Sequence, residues 1–370
     1  MPDTLQITML PAKEGDCLVI TWGRTSDKKY ILVDGGRAWT YENALKRYLR
    51  DRGITEIELL VVTHVDRDHI DGMLKLIKDS NLNLMVRNIW FNTWDHLRGL
   101  KIENPEAEDD IEEFGAKMGE ELSTEIISKS WRWNSCFDGQ AVELRDDPGG
   151  NIIRIADMKL TLLSPDRDKL EALIPKWKKE CQKAGITPGF TVKDYIIADD
   201  DLEDFGAVDI DALADEEFSN DHSDANGSSI AFILEYKNRK ALLSGDAHPD
   251  LLVKSLTHLG VSKEDPLALD AFKVPHHGSK YNISKDLLSL MKCDHYLIST
   301  NGNFFDHPDD VAMARLMKYG TDDSTLSFNY KTDRTSIWEE VHWQRDYKYK
   351  TNYPPQGQDG YLSLEFRTGS

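Results

Sequence analysis

The ten residues Thr63 to Gly72 read T-H-V-D-R-D-H-I-D-G, and they hold two histidines and three aspartates. They follow the apolar run Leu59 to Val62, which predicts a buried strand that ends where the polar residues begin. Residues at the end of such a strand lie on a loop that faces a cleft. Four of them carry the nitrogen and oxygen donors that bind Zn²⁺ or Mn²⁺: His64, Asp66, Asp68 and His69. Their spacing predicts two pairs of ligands for two neighbouring ions.

An acidic turn is the structural alternative for the same residues. In that interpretation Asp68 or Asp71 caps a helix over residues 72–80, and no ion is involved. A lone His-x-Asp would favour the turn. The full set of four donors favours a metal site.

Three other predicted strands also end in residues that could do chemistry. Tyr30 to Val33 is followed by Asp34-Gly35-Gly36, and Lys240 to Ser244 is followed by Gly245-Asp246. Each aspartate could instead simply form a turn. The apolar strand from 271 to 275 ends in His276-His277-Gly278-Ser279, and paired histidines after a strand supply imidazole for a metal.

The pattern His64-x-Asp66-x-Asp68-His69 resembles the H-x-[HD]-x-D-H signature of the metallo-β-lactamase superfamily. The aspartate at its third place resembles the variant in the hydrolase domain of the DNA-uptake protein ComEC and in its stand-alone relatives. The resemblance covers residues 5–95 and 150–310, and its motifs occur in the expected order. It implies an α/β fold, the αββα sandwich of the superfamily, that binds one or two ions of zinc or manganese.

The resemblance also implies a role for each candidate residue. Asp246 would bridge the two ions, and the stronger ion would be held by Asp246 with Asp68, His69 and His277, with His276 in reserve. Asp34 would hydrogen-bond the ligands from behind.

Asn226 occupies the place at which most members of the superfamily have a histidine. As a neutral oxygen donor it would weaken the ion that His64, Asp66 and Asp246 hold, and this ion would then favour Mn²⁺.

Catalysis and substrate contact are expected from a further set of residues. A metal-activated water would be the nucleophile, and Asp68 would act in catalysis beside it. The run Asp306-His307-Pro308 resembles the close of the ComEC-like pattern, and it makes His307 a candidate proton donor or phosphate contact. Its alternative is a position just before a helix that starts at Asp309. Ser279 and Asn301 are candidate substrate contacts.

Composition limits the class of protein. The 370 residues include 40% hydrophobic ones, enough for a large core, and the formal net charge is −20. Eleven acids and no Lys or Arg lie in residues 199–221, so the rest of the chain carries about −9 and does not exclude a basic groove. Four separated cysteines, no apolar run of spanning length and no export signal predict a cytoplasmic protein without a membrane partner.

The expected organisation is a hydrolase domain over residues 1–320 and a β-rich extension over residues 321–370. Two insertions interrupt the domain at about 95–150 and 185–225, and they could contact a protein partner or a second copy of the chain. The first would carry a helix pair between 105 and 130. The acidic segment 199–221 is expected to be loosely packed.

The expected function is metal-dependent hydrolysis of a phosphodiester, with nucleic acid or a small phosphodiester as substrate. An acidic protein could instead hydrolyse a small molecule such as a cyclic nucleotide or another ester. From a different class, it could be a catalytically weak scaffold that recruits a partner through its acidic segment.

Overall fold

Two β-sheets organise the fold of the computed structural model, which describes residues 3–101, 116–184, 187–188, 209–303 and 305–369. Its strands, β1 to β16 in chain order, are Thr4–Met9, Leu18–Arg24, Asp27–Val33, Glu56–Ile57, Leu59–Val61, Met85–Val86, Ile89–Trp90, Ile152–Ile155, Met158–Ser164, Ala231–Tyr236, Arg239–Leu243, Leu267–Lys273, Met291–Ile298, Thr325–Phe328, Lys350–Asn352 and Leu362–Arg367.

The first sheet has six strands in the order β16-β1-β2-β3-β5-β7, and the second has eight in the order β15-β14-β13-β12-β11-β10-β9-β8. In each sheet one part is antiparallel, β16 to β3 and β8 to β11. The remaining part is parallel, β3 to β7 and β11 to β15. Strands β4 and β6 form a separate parallel pair.

The sheets pack face to face because their strands are apolar on both sides. In β2, Ile20 and Trp22 enter a core shared by the two sheets, whereas Val19 faces a core of helices. In β10, Phe232 points into the shared core and Ile233 faces a second core of helices. Two helical layers therefore enclose two sheets, and the predicted αββα sandwich is confirmed.

The α-helices, α1 to α13, are Ala38–Thr40, Lys46–Asp51, Arg67–Lys78, Trp94–Leu97, Ala116–Lys129, Arg167–Lys183, Ile210–Ala214, Asp224–Gly227, Pro249–His258, Lys285–Ser289, Asp310–Tyr319, Asp333–Ser336 and Val341–Asp346. A π-helical turn joins α1 to α2 at Tyr41–Leu45, and 3₁₀ helices lie at Ser135–Phe137, Pro148–Asn151, Pro275–Gly278 and Ile337–Glu339. None of the helices in the described ranges is long and apolar enough to cross a membrane.

The carboxyl ends of the parallel strands meet at one edge of the sandwich. β3 and β5 of the first sheet end just before Asp34 and His64, and β11 and β12 of the second sheet end just before Asp246 and His277. The backbone N–H of Ile230 donates to the carbonyl oxygen of Thr63 at 2.9 Å, which ties the two sheets together there.

The C-terminal residues differ from the expected separate extension. Strands β14 and β15 extend the second sheet, and β16 pairs along the whole of β1 in the first. Part of the expected β-rich extension is not strand, because the stretch from Ile337 to Asp346 is helical apart from Glu340. The Trp338 and Trp343 rings lie at a centroid distance of 5.8 Å, with their planes tilted by 32°. The residues after 320 thus complete both sheets.

Two expectations fall partly outside the described residues. Of the helix pair predicted between 105 and 130, only α5 is described, and residues 102–115 lie outside. Of the acidic segment, residues 199–208 lie outside. The described remainder is packed and not loose, because Ile210 and Ala214 are buried and Lys318 pairs with Asp211 and Asp215 at 2.9 Å each.

Candidate metal centre

The loop after β5 leads directly into α3, and it carries the four donors of the first motif. The helix begins at Arg67, with Asp66 as its N-cap residue in extended conformation, and Asp68 and His69 lie in its first turn. The alternative helix over 72–80 is therefore wrong. Asp71 does not cap α3 either, because its carboxylate accepts from the backbone N–H of Ala38 at 3.0 Å.

Three buried imidazoles are oriented by bonds to their Nδ1 atoms. His69 Nδ1 lies 2.8 Å from Asp34 Oδ2, and His277 Nδ1 lies 2.9 Å from the carbonyl oxygen of Ser299, so each Nδ1–H donates to an oxygen. His64 Nδ1 lies 3.0 Å from Thr63 Oγ1, whose own proton is donated to Asp34. In each ring, the Nε2 lone pair is therefore directed away from the partner.

The three Nε2 atoms converge on the carboxylate of Asp246. Asp246 Oδ2 lies 3.4 Å from Nε2 of His69, 3.7 Å from that of His277 and 3.8 Å from that of His64. All three nitrogens are buried without a hydrogen-bond partner, as is Asp246 Oδ1. Buried polar atoms seldom remain unsatisfied, and lone pairs around a carboxylate fit a cation.

Two further carboxylates complete the arrangement. Asp68 Oδ2 lies 3.4 Å from His277 Nε2, and Asp66 Oδ2 lies 3.6 Å from His64 Nε2. Ligand atoms lie within 4.8 Å of one another in two sets that share a histidine: His64, His69 and Asp246, and Asp68, His69 and His277. The Asp66 side chain is 40% exposed, so the centre reaches solvent at this residue.

The carboxylates of Asp246 and Asp68 are charged. Burial raises the pKa of Asp246, but the imidazoles of His69 and His277 lower it more, and the net result is well below the ordinary value. Burial also raises the pKa of Asp68, but the imidazoles of His69 and His277 lower it overall. Burial lowers the pKa of His69, yet Asp246 and Asp68 raise it overall. A proton and a metal ion therefore compete for this place.

A buried ion pair lies behind His277. Lys273 Nζ is 2.8 Å from Asp16 Oδ2, and Asp16 Oδ1 is 3.6 Å from His277 Nδ1. Gly15 brings this loop against the ligand helix, since a Cβ on it would fall 1.9 Å from the carbonyl oxygen of Asp68. Sequence reasoning missed the pairing of Lys273 with Asp16, although a lysine within an apolar strand is itself a signal of a buried partner.

His276 and Asn226 belong to a neighbouring group of polar side chains, the Asp221 cluster, formed by Asp221, Asn226, His276 and Asn282. Asp221 Oδ2 accepts from Nδ2 of Asn226 at 2.8 Å and of Asn282 at 3.0 Å, and it lies 3.4 Å from His276 Nδ1. Burial raises the pKa of Asp221, but His276 and the amides lower it overall. Both predicted ligands are thus engaged by protein partners.

The remaining candidates lie near the centre in different settings. The His307 ring is 5.1 Å from that of His276, and its Nδ1 is 3.4 Å from Asp309 Oδ1. Burial lowers the pKa of His307. Ser279 Oγ accepts from the N–H of Tyr281 at 3.3 Å, and Asn301 Oδ1 accepts from the N–H of Asn303 at 3.1 Å, so both support their own loops.

His96, in the short helix α4, supports the local fold. It is buried, and its Nδ1 accepts from the N–H of Thr93 at 3.2 Å in the cap of α4.

Comparison with solved structures finds relatives of low similarity. A diphosphatase of the PhnP family aligns at 10% identity and a TM-score of 0.41 over 99% of this chain and 98% of its own. The metallo-beta-lactamase fold protein YhfI from Bacillus subtilis aligns at 8% identity and a TM-score of 0.41, over 99% of this chain and 100% of its own. CmlA, a diiron beta-hydroxylase from Streptomyces venezuelae, aligns at 10% identity and a TM-score of 0.40, over 99% of this chain and 54% of its own. At TM-scores this low, these structures say nothing about the activity of this chain.

Comparison with families gives a firmer result. No curated protein matches the sequence. Residues 11–128 match the model of the metallo-β-lactamase superfamily, a stretch that includes Asp16, Asp34 and all four donors of the first motif. The match does not reach the level of the ComEC-like branch, which stays a prediction. The match covers about a third of the chain, and over that stretch the chain is similar to the metallo-β-lactamase superfamily.

Proposed function

We propose that the protein is a phosphodiesterase that depends on a divalent metal. The observation that carries the proposal is the convergence of three unpartnered Nε2 atoms on Asp246. Nitrogen donors suit Zn²⁺, and the aspartates of the set suit Mn²⁺ as well, so either metal fits these residues. A divalent ion held there would polarise a phosphoryl oxygen and lower the pKa of a water molecule.

The chain's own residues would prepare the site for this chemistry. Asp34 accepts from His69 and Thr63, and so fixes the ring that both ligand sets share. Asp309 Oδ1 faces Nδ1 of His307, so Nε2 of that ring would be left to accept a proton or, once the ring is protonated, to donate to a phosphate oxygen of the substrate. The ion pair of Asp16 with Lys273 packs behind the ring of His277.

The test combines metal content with hydrolysis. Purified protein is loaded with Zn²⁺ or Mn²⁺, its bound metal is measured by mass spectrometry, and its activity is followed on bis-p-nitrophenyl phosphate. Asp246→Asn should lose bound metal and reduce the rate by on the order of 10³-fold, because it removes the carboxylate on which the ligands converge. His64→Ala should also lose metal.

Asp322→Asn is the matched control, because this aspartate is 68% exposed and pairs with Lys348. It should bind metal and hydrolyse the ester as the unaltered protein does. A folded, metal-loaded protein that cleaves carboxylic esters but no phosphodiester would overturn the proposal in favour of small-ester hydrolysis. A folded protein that binds neither metal would favour the scaffold. A partner that binds through the insertions stays a prediction.

A further inference from the structure

Three aromatic side chains near the metal centre are exposed to solvent. Trp39 is 42% exposed, Tyr281 is 43% and Phe305 is 51%, whereas most large apolar side chains of the described residues are buried. Exposed rings forgo the free energy that burial of apolar surface would give. Aromatic rings grouped on one face commonly mark a binding surface.

Trp39 is held close to the ligand helix α3. The N–H of Gly72 donates to the carbonyl oxygen of Gly36 at 2.8 Å, and the N–H of Gly35 donates to that of His69 at 2.9 Å. The N–H of Ala38, next to Trp39, bonds to Asp71 on the same helix. Trp39 therefore follows directly on the turn that packs against the first turns of α3.

Tyr281 and Phe305 approach the centre from the second sheet. Tyr281 lies four residues after His277, and the N–H of its neighbour Lys280 donates to Asp309 at 2.7 Å. The Phe305 ring is 6.1 Å from that of His307, which in turn is 5.1 Å from that of His276. A row of rings therefore runs from Phe305 to the loop that carries His277.

A contact between loops links the two sides. The N–H of Asn301 donates to the carbonyl oxygen of Lys13 at 2.9 Å. The Lys13 side chain lies over the Trp39 ring, with Nζ 4.7 Å from its centroid, and Lys280 Nζ lies 5.4 Å from that of Tyr281. We call Trp39, Tyr281, Phe305, Lys13 and Lys280 the aromatic rim.

The composition of the aromatic rim selects a class of ligand. Rings alone would suit any apolar ester, but a lysine beside two of the three rings suits a phosphate next to a stacking group. Nucleotides repeat this pair of groups along a strand. In a duplex the base faces are covered by their neighbours, so only unpaired bases can stack on protein rings.

We infer that the aromatic rim stacks the unpaired bases of a single-stranded nucleic acid and places its phosphodiester at the metal centre. The inference rests on the proposed phosphodiesterase function and names its substrate class. The two lysines would contact phosphates, while the rings would accept any base, so binding would show little sequence preference.

The kinetic test uses two substrates with the same leaving group. The p-nitrophenyl ester of thymidine 5′-monophosphate carries a base, and methyl p-nitrophenyl phosphate carries none. Trp39→Ala should lower kcat/KM for the thymidine ester about tenfold, as expected for one lost stacking contact, and leave the methyl ester unchanged. Trp39→Phe should keep most of the activity. Met85→Ala, at a 57% exposed residue on β6, is the matched control.

The binding test needs no catalysis. The anisotropy of a fluorescein-labelled oligothymidylate is measured in EDTA with the unaltered protein, with Trp39→Ala and with Phe305→Ala. Each variant should bind about tenfold more weakly. The plot of log K against log salt should have a slope of about −1.4 for two phosphate contacts.

The outcomes separate the two proposals. If neither ester is hydrolysed, the phosphodiesterase fails, and oligothymidylate binding still decides whether the rim binds single strands. If the methyl ester is hydrolysed but the rim variants lower kcat/KM equally for both esters, the inference is overturned and the phosphodiesterase stands. The same holds if a duplex binds as tightly as the single strand.

Discussion

The candidate metal centre and the Asp221 cluster lie side by side, and both bury histidine and aspartate. In the Asp221 cluster the carboxylate accepts from two amides and lies beside His276, so its polar groups are satisfied by the protein. In the metal centre, Nε2 of His64, His69 and His277 has no partner. The difference shows that residue type does not distinguish a ligand from a structural polar group. The direction of the free lone pair does.

The contrast is sharpest between two consecutive residues. His276 and His277 both have left-handed φ values, 47° and 54°, and this turn sends their rings to different neighbours. His276 Nδ1 lies 3.0 Å from Asn282 Oδ1, whereas His277 uses its Nδ1 on Ser299 and keeps Nε2 for the centre. His277 as a metal ligand stays a prediction, and its unpartnered Nε2 is the observation that supports it.

Among the predictions, the largest expected effect is the loss of metal binding when one of these two histidines is replaced. His277→Ala should weaken metal binding by more than about 100-fold, since even partners behind the ligands contribute 10–100-fold. His276→Ala should keep the stoichiometry of bound metal. Titration with a fluorescent chelator measures both, and equal losses in the two variants would remove the distinction between centre and cluster.

A second prediction concerns a buried histidine that serves only the fold. Burial lowers the pKa of His96 from its ordinary 6.5 to about 4. The unfolded chain then binds a proton that the folded chain excludes, so stability should fall as pH decreases from 6.5 towards 4, by about 3 kcal/mol in all.

Urea unfolding across this pH range measures the effect. His96→Gln should flatten the pH dependence, whereas His342→Gln, at a 55% exposed histidine, should not. An identical pH dependence in His96→Gln and the unaltered protein would contradict the prediction.

A third, smaller effect is expected behind the metal centre. Asp34→Asn replaces a carboxylate that accepts three hydrogen bonds, from Thr63 N, Thr63 Oγ1 and His69 Nδ1. Metal affinity should fall by about 10–100-fold while the stoichiometry persists at saturating metal. Metal titration by calorimetry checks this result, and unchanged affinity would show that Asp34 serves the fold alone.

The smallest effect is expected in the cluster itself. Asn226→Ala removes a donor to the buried Asp221 carboxylate and should cost about 2 kcal/mol of unfolding free energy, with no change in metal affinity. Denaturant unfolding and metal titration test the two halves separately. A loss of metal affinity would make Asn226 the weak ligand that the family resemblance implies.

Much of the fold follows from local pattern. Strands such as Leu18–Arg24 and Ala231–Tyr236 are apolar on both faces, which is typical of a sheet covered on both sides, and polar residues at their ends mark the edge where the donors gather. Helix α6 begins after Asp166, whose side chain caps it in the usual way. Periodicity and capping are local, so they can be read from a single sequence.

Other features depend on residues that are distant in the chain. The partner of Lys273 is Asp16, and the partner of β1 is β16, neither of which periodicity can specify. The local pattern offers both His276 and His277 as ligands, and only the family resemblance ranks His277 first; in the structure the turn between them sends the two rings to different neighbours. These features arise from tertiary packing, which overrides local preference.

The predicted ligands come from both halves of the sandwich. His64, Asp68 and His69 follow a strand of the first sheet, whereas Asp246 and His277 follow strands of the second. An ion between them would act as a cross-link that closes a loop of some two hundred residues, and unfolding would have to release it. At free metal a thousandfold above Kd, this coupling would add about 4 kcal/mol to the stability of the folded chain. The persistence of the folded protein would then follow the supply of metal.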